Sequence, residues 1–400
     1  NNWDVNNIVT NEGLTTSKTQ FDVVTYTGNG GTQKLGGPVF SSSADSGLSH
    51  ADGVTGMFDG SLSTRGGVSS TDNAYKTLTD GVSISASTGI RIYWNGVGAG
   101  QRYIRINGTT ELDDGSAALT PGWSTQSSFS GTINKIEVKT ASSGSWSLAA
   151  VEVDGTILID GTGPGLKFQP DLVWIKMRSA AAGHRLYDSV RGVTKYLVPQ
   201  GTDSEGTQSA GLTSFNSDGF TVGSNFDHNN NNATFVAWCW KAGGTASSNS
   251  NGSVTSSVSA NAAYGFSVVT FNSGSSDGNF TVGHGLNSAP RLIIMKSRSR
   301  SGGPWWTFHA SVCTTVAKTF FLSSNGALSD NIAQGGGNVW GSSLPTNSVF
   351  GFSVGAGTAH TQSETVVAYC FTDVPGYQRL GSYTGNGSST GPVVVTGFKP

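Results

Sequence analysis

Apolar residues recur along this chain in short runs, in which they alternate with polar residues or follow one another directly. The runs are rich in Val, Ile, Phe and Trp, and Gly, Asn and Ser separate them, which is the pattern of β-strands joined by tight turns. No segment sustains the period of about 3.6 residues that an amphipathic helix requires. The pattern therefore predicts an all-β protein.

Comparison of the chain with itself reveals tandem repeats. The strand predicted at 168–178 matches the one at 288–298, because each contains a Pro and then an apolar run that ends in Lys-x-Arg. The strand at 234–240 matches the one at 365–371 in the same way. Ordered matches of this kind indicate copies of one structural unit, and we expect β-sandwich-like repeats.

The repeat spacing also predicts where units begin. The marker prolines Pro170, Pro290 and Pro400 lie 120 and 110 residues apart, and the sequence YTGNG at 26–30 recurs letter for letter at 383–387. A third unit is therefore expected to start near the end of this sequence. We expect at least one further repeat to follow, since a truncated unit would leave an unpaired sheet edge.

The first repeat contains an insertion. In the second unit 19 residues separate Phe271 from Pro290, whereas in the first unit 144 residues separate Tyr26 from Pro170. The excess of about 125 residues is the size of a domain, and Gly/Pro-rich junctions bound it. The predicted organisation is a lead segment at 1–20, a discontinuous repeat 1 at 21–36 plus 163–245, an inserted domain at 37–162, repeat 2 at 246–376 and the start of repeat 3 at 377–400.

Within the insert, four short strands joined by Asn/Gly turns predict a β-sandwich, which we interpret as a candidate carbohydrate-binding domain. Arg91 and Tyr93 alternate on one strand, and Tyr103 and Arg105 alternate on the next. If the two strands formed a hairpin, these four side chains would share one sheet face. Tyr and Arg together are typical of recognition patches, so the four residues are candidate ligand-binding residues; a solvated sheet face is the alternative.

Composition narrows the classes of function. Charged residues make up 12% of the chain and the net charge is −2. The sequence also has no cluster of basic residues, so it gives no support for nucleic-acid binding. No apolar run is long enough to span a membrane. Three widely spaced cysteines, Cys239, Cys313 and Cys370, argue against a disulfide framework or a zinc site. Cys239 and Cys370 occupy equivalent apolar strands and are predicted to be buried.

No catalytic residues are predicted. The densest acidic group, Glu111, Asp113 and Asp114, lies in a sequence that we interpret as a solvated turn. Among the histidines, His309 matches Tyr187 of the first repeat, which favours a packing role over that of a catalytic base. The pairs Lys176/Lys296 and Arg178/Arg298 recur at strand ends, where ion pairs at an edge or interface are the preferred interpretation and a shared ligand groove is the alternative.

The repeat resembles a module found in tandem in virion proteins of tailed bacteriophages, especially marine and cyanobacterial phages. The resemblance covers residues 21–36 and 163–400 and is carried by PDLVWIK at 170–176, DSVRG at 188–192, VAWC at 236–239 and GSYTGNG at 381–387. It implies a structural or adhesive role on the virion and supplies no catalytic residues.

The insert resembles discoidin-like, galactose-binding jelly rolls through the sequence DGSLST at 59–64. In those domains this loop and a late Glu often hold a structural calcium ion. The resemblance therefore implies calcium ligands at Asp59, Thr64 and Glu152, and calcium is the one cofactor that it suggests. No cofactor is required by the remainder of the sequence.

These observations favour a non-enzymatic virion component, assembled in the host cytoplasm, as a tail fibre, spike or adhesin that binds the host surface. Expected partners are other virion proteins, further copies of the chain in a homo-oligomer such as a trimer, and a host-surface glycan, with no nucleic acid and no membrane insertion. Two alternatives remain open: a purely architectural capsid-decoration or tail-assembly protein, and a glycan-degrading tailspike enzyme, which would need two carboxylates facing each other across a cleft.

Overall fold

The predicted all-β class is confirmed in the computed structural model, whose strands form antiparallel sheets and whose single described helix has four residues. The structure describes residues 20–36, 57–58, 62, 65–68, 74–97, 99–118, 120–141, 146–154, 156–158, 166, 168–217 and 219–398. No helix in this part of the chain is long and apolar enough to cross a membrane.

The strands fall into four groups along the chain. Repeat 1 begins with β1 (Phe21–Thr27) and β2 (Gln33–Gly36). The insert contains β3 (Gly66–Val68), β4 (Lys76–Ala86), β5 (Ile90–Gly96), β6 (Arg102–Ile106), β7 (Thr110–Gly115), β8 (Gly122–Trp123), β9 (Gly131–Thr140), β10 (Trp146–Val153) and β11 (Thr156–Ile157). The rest of repeat 1 contains β12 (Leu172–Met177), β13 (Arg185–Asp188), β14 (Lys195–Tyr196), β15 (Gly206–Thr207), β16 (Leu212–Asn216), β17 (Gly219–Val222), α1 (Phe226–Asn229) and β18 (Thr234–Trp240). Repeat 2 contains β19 (Ser247–Asn249), β20 (Ser256–Asn261), β21 (Phe266–Asn272), β22 (Gly278–Gly283), β23 (Leu292–Ser297), β24 (Trp306–His309), β25 (Lys318–Phe321), β26 (Ser329–Asp330), β27 (Val349–Val354) and β28 (Thr365–Phe371).

Repeat 1 is a sandwich assembled from both sides of the insert. One sheet has the order β1-β18-β12-β13 and the other β16-β17-β2, so strands from 21–36 pair with strands that follow residue 168. Alternate side chains from the two sheets, including Val24, Leu35, Val173 and Phe220, meet in a shared hydrophobic core. The chain returns to its first sheet only after the insert, which explains the long spacing in the sequence.

Repeat 2 follows the same plan. Its larger sheet has the order β19-β20-β21-β28-β23-β24-β25-β26, and β22 pairs with β27 opposite it. Cys239 pairs in register with Val173, and Cys370 pairs with Ile293 at the equivalent place. Both cysteines are fully buried and free, as their apolar strands predicted.

One sequence match within the repeats is wrong. Leu172 faces Asp188 on β13, whereas its counterpart Leu292 faces His309 on β24. His309 is therefore equivalent to Asp188, and Tyr187 is equivalent to Phe308. The sequence match of His309 with Tyr187 is displaced by one residue, because the hydrogen-bond ladder defines the register.

The two copies of YTGNG adopt different structures. At 26–30 the sequence ends β1, where Tyr26 is buried and its hydroxyl donates to the His228 carbonyl at 2.6 Å. Gly28 is needed there because a Cβ atom would lie 2.3 Å from the Asn230 carbonyl oxygen. At 383–387 no strand forms in the described part of the chain, and Tyr383 is 72% exposed.

The insert is a two-sheet sandwich with its own core. Its sheets have the orders β4-β9-β6-β7 and β11-β10-β5-β8, with β3 also paired to β10. Side chains such as Ile92, Trp94, Ile104 and Val138 fill the space between them. The two predicted strands that carry Arg91 and Tyr93, and Tyr103 and Arg105, both exist, as β5 and β6, but they lie in opposite sheets. The predicted β5–β6 hairpin is therefore wrong.

A buried polar cluster ties α1 to the core of repeat 1. The Tyr187 hydroxyl lies 2.8 Å from His228 Nε2, and His228 Nδ1 lies 2.6 Å from the Asn225 Oδ1 atom. Since that amide oxygen can only accept, His228 carries its proton on Nδ1 and receives the Tyr187 hydroxyl at Nε2. Burial lowers the pKa of His228 to about 3, so the side chain is neutral in the folded protein.

We expect the stability of repeat 1 to fall as the pH drops from about 6.5 to 4.5. In this window unfolded His228 binds a proton that the folded side chain excludes, so each pH unit removes up to about 1.4 kcal/mol of unfolding free energy. The variant His228→Gln should show a shallower pH dependence in denaturant titrations followed by Trp fluorescence. His309→Gln is the matched control because that histidine is less buried. Equal slopes for the wild-type chain and His228→Gln would contradict the assignment.

Candidate functional site

The predicted recognition patch of the insert is divided between two surfaces. Arg91 and Tyr93 point outward from one sheet, and Tyr103 and Arg105 point outward from the other. Their shared-face prediction is wrong because the core lies between the two strands. On the first surface the Arg91 guanidinium lies 4.6 Å above the ring of Trp123, which Tyr93 meets edge-on at 5.2 Å.

The second surface is built around a forked ion pair. Arg105 donates from Nε and Nη2 to the two oxygens of Glu137, each at 2.7 Å, and these hydrogen bonds hold the pKa of Glu137 below its usual value. The same guanidinium stacks 3.8 Å above the ring of Tyr75. Lys139 Nζ lies 4.6 Å from the Tyr103 ring centroid. Each outer face therefore carries aromatic rings fixed by cations, and the four candidate residues belong to two distinct surfaces.

The calcium ligands implied by the resemblance are only partly within the described residues. Asp59 and Thr64 lie outside them. Both oxygens of Glu152 accept hydrogen bonds from Arg91, at 2.6 and 2.7 Å, so this carboxylate is already neutralised by a guanidinium. Calcium needs carboxylate and carbonyl oxygens that are free to coordinate it. Glu152 as placed does not fit the proposed calcium site, and no cluster of three or more metal-binding side chains occurs among the described residues.

The acidic group interpreted as a turn lies on β7 instead, so that interpretation is wrong. Asp114 is buried and accepts from Trp94 Nε1 at 2.7 Å and Arg102 Nε at 3.3 Å. Burial raises the pKa of Asp114. Glu111 and Asp113, on the same strand, are exposed. The group thus supports the insert rather than forming a pair of acids across a cleft.

The histidines in the described part of the chain are engaged in local hydrogen bonds. Four of these contacts are Trp174 Nε1 to His184 Nδ1, the Tyr187 hydroxyl to His228 Nε2, His284 Nε2 to the Thr346 carbonyl and Ser311 N to His309 Nδ1. His360 Nδ1 pairs with Glu364 at 2.9 Å, but the ring is fully buried and its Nε2 has no hydrogen-bond partner among the described residues. The pair resembles a base with its orienting acid, but within the same part of the chain no hydroxyl or thiol is hydrogen-bonded to that nitrogen.

The junction of the two repeats combines an apolar core with a network of ion pairs. Along β12, Val173 and Ile175 face the core of repeat 1, whereas Leu172 and the half-buried Trp174 face repeat 2. The junction core joins apolar side chains from both repeats: Leu172, Leu186, Leu197, Ala242, Phe266, Val268, Trp305, Val367, Tyr369 and Phe371. Each repeat contributes the same sheet face to this contact.

A buried ionic network crosses the junction next to this core. Arg191 is fully buried at its side chain, pairs with Asp188, and donates from Nη1 to Glu205 at 3.0 Å. The Tyr369 hydroxyl of repeat 2 donates to Asp188 at 2.7 Å, and Arg298 of repeat 2 donates to both oxygens of Glu205 at 2.8 and 3.0 Å. Two guanidiniums thus balance two carboxylates, which makes burial of the charges tolerable.

The electrostatics of Glu205 reflect its position between the repeats. Burial raises the pKa of this carboxyl, but the hydrogen bonds from Arg298 and the charges of the two guanidiniums outweigh burial, so the net pKa is lowered. Glu205 is therefore ionised at neutral pH and bridges Arg191 to Arg298.

Backbone groups of repeat 1 complete the junction. Lys296 donates from Nζ to the Thr202 carbonyl at 3.1 Å, and Trp305 donates from Nε1 to the Val198 carbonyl at 2.9 Å. Glu205 N also donates to the Arg298 carbonyl at 2.8 Å. The segment 198–205 is consequently fixed against the end of β23.

The sequence pointed to part of this site. Recurrence of Lys-x-Arg drew attention to Lys296 and Arg298, and the preferred interpretation, an interface ion pair, describes Arg298 correctly. In repeat 1 the equivalent Lys176 donates to carbonyls of its own hairpin, Met177 at 2.6 Å and Ala180 at 3.3 Å. Glu205 was missed, because it lies 93 residues from Arg298 and no periodic pattern connects them.

The chain matches the model of a protein family. The profile of a family described as "Domain of unknown function (DUF7483)" matches residues 150–400. No curated protein and no solved structure matches the chain.

We expect Asp188→Asn to destabilise the chain by about 3 kcal/mol or more, because it leaves a buried guanidinium without its nearest countercharge. Asp227→Asn is the matched control: Asp227 pairs with Arg185 at 2.6 Å, but both side chains are partly exposed, so its loss should cost about 1 kcal/mol or less. Denaturant unfolding of both variants measures the difference. A similar small cost at both positions would show that the network contributes little to holding the repeats together.

Proposed function

The chain belongs to the DUF7483 family, and we propose that it is a non-enzymatic, structural and adhesive component of a tailed-phage virion, as a tail fibre, spike or adhesin. The observation that carries the proposal is the junction between the repeats, in which an apolar core and a buried ionic network join two sandwiches. Domains of one chain move relative to each other by default unless their interface is large and apolar. A junction of this kind favours a load-bearing, fixed arrangement.

The distribution of charge supports the same role. Arg91, Arg105, Arg191 and Arg298 all have carboxylate partners within the chain. A surface that is poor in free charge and rich in hydroxyl and amide groups suits contact with uncharged polymers better than contact with nucleic acid. We infer that the ligand on the host is a glycan, and that the other partners are virion proteins and further copies of the chain.

The insert supports the adhesive part of the proposal. It leaves repeat 1 after β2 and returns before β12, so it lies at a connection within a sandwich rather than inside its sheets. Loops positioned by a rigid scaffold are the common location of binding residues. The two outer faces of the insert, one with Arg91 and Trp123 and one with Arg105 and Tyr75, are the surfaces it would present.

Immunogold electron microscopy of the phage that encodes the chain tests the virion assignment. Antibodies raised against the purified chain should label intact particles at the tail, and labelling should disappear when the antibodies are first absorbed with the chain. Labelling of the capsid alone would favour the architectural alternative. Antibodies that detect the chain in infected cells but never on particles would refute a virion role.

Cell binding tests the adhesive role separately. The fluorescently labelled chain should bind host cells, and mild periodate oxidation of surface glycans should abolish most of that binding. Heat-unfolded chain at the same concentration is the control. Binding that survives periodate would exclude a glycan as the host ligand.

A further inference from the structure

A groove of about 440 Å³ opens on repeat 2, beside the junction with repeat 1. Its floor is formed by the neighbouring strands β20, β21 and β28. Repeat 1 covers another part of the same sheet face, where Val268 and Val367 belong to the junction core. Small-molecule sites commonly measure about 300–1,000 Å³. The volume therefore suits a ligand of one or two sugar rings.

Polar groups converge on this groove in cross-strand pairs. Ser257 lies directly opposite Thr270, and Asn272 lies directly opposite Thr365. The hydroxyls of Ser257, Thr270 and Thr365 make no hydrogen bond with the described residues. Asn272 uses its amide oxygen to accept from Gly274 N at 3.0 Å, which leaves its amide nitrogen to donate. The groove thus offers several donors and acceptors that a bound ligand could satisfy.

Arg298 lines the groove and gives it a further donor. Its Nε and Nη2 are held by Glu205 at 2.8 and 3.0 Å, whereas Nη1 has no acceptor among the described residues. Because Glu205 supplies the countercharge, Arg298 offers N–H groups without net positive charge. This pairing disfavours an anionic ligand and favours uncharged oxygen acceptors.

We propose that this groove binds a neutral glycan through hydrogen bonds to Ser257, Thr270, Asn272 and Arg298. A sugar presents hydroxyls that both donate and accept, which matches the mixture of hydroxyl, amide and guanidinium groups. The inference rests on the adhesive role proposed above and locates a second binding surface, in repeat 2 rather than in the insert. Glu205 of repeat 1 is a positioning residue, since it orients Arg298 from across the junction.

Repeat 1 supplies a matched control position. Thr25 on β1 is equivalent to Thr270 on β21, because each is the fifth residue of its strand. The two strands are equivalent, since β1 pairs with β18 and β21 pairs with β28, the corresponding strand of repeat 2. In the part of the chain that the structure describes, β1 is an edge strand, and Thr25 is exposed and outside the groove. Thr→Val at either position keeps a β-branched residue and removes only the hydroxyl.

Titration of the full chain against a panel of neutral and acidic di- and trisaccharides, by calorimetry or on a glycan array, tests the proposal. At least one neutral saccharide should bind, and the double variant Ser257→Ala/Thr270→Val should weaken that binding about tenfold or more through two lost hydrogen bonds. Thr25→Val should bind as the wild-type chain does. Thermal melting of each variant confirms that it remains folded.

Three results would overturn the proposal: no neutral saccharide binds, acidic saccharides bind more tightly, or the folded double variant binds like the wild-type chain. The outcome of the particle-labelling experiment does not depend on these results. Labelled particles together with an unaffected double variant would refute only the groove. Loss of saccharide binding in the double variant without labelled particles would refute only the virion role.

Discussion

The sheet of repeat 1 that contains β12 and β18 is covered on both faces. The second sheet of repeat 1 packs on one face and repeat 2 packs on the other. Successive residues of a strand point to opposite faces, so Leu172 enters the junction while Val173 enters the sandwich core. The charges that this arrangement buries must be balanced locally, and Arg191 requires Asp188 and Glu205 for that reason. The relative position of the repeats, the placement of segment 198–205 and the groove beside Arg298 all depend on this junction.

Few charged side chains are available to this chain, and many of those described are used internally. The insert resembles the junction in this respect, because Arg91 and Arg105 each form an ion pair with a glutamate on a neighbouring strand. Forked pairs of this kind fix the side chain as well as its charge. On the two outer faces of the insert, the guanidiniums of Arg91 and Arg105 are therefore held in place together with the rings of Trp123 and Tyr75.

The alternation of residues on β5 and β6 identified the outward side chains of the insert correctly, but it could not identify the sheet to which each strand belongs. The turn between them resembles a hairpin turn, yet the chain crosses there from one sheet to the other, so Arg91 and Arg105 lie on opposite surfaces. No local pattern in the sequence indicates that Arg91 pairs with Glu152. Pairings between distant residues, such as Glu205 with Arg298, follow from packing and leave no local pattern.

The sequence by itself determined the all-β class, the repeats and the burial of Cys239 and Cys370, because strand periodicity and apolar runs are local properties that tertiary packing only reinforces. Tertiary structure decided what each segment became. The same five residues, YTGNG, end a paired strand at 26–30 and remain outside any described strand at 383–387. At the first place β18 supplies the hydrogen bonds and Tyr26 finds a buried partner. A strand has no internal hydrogen bonds of its own, so its partner rather than its sequence decides whether it forms.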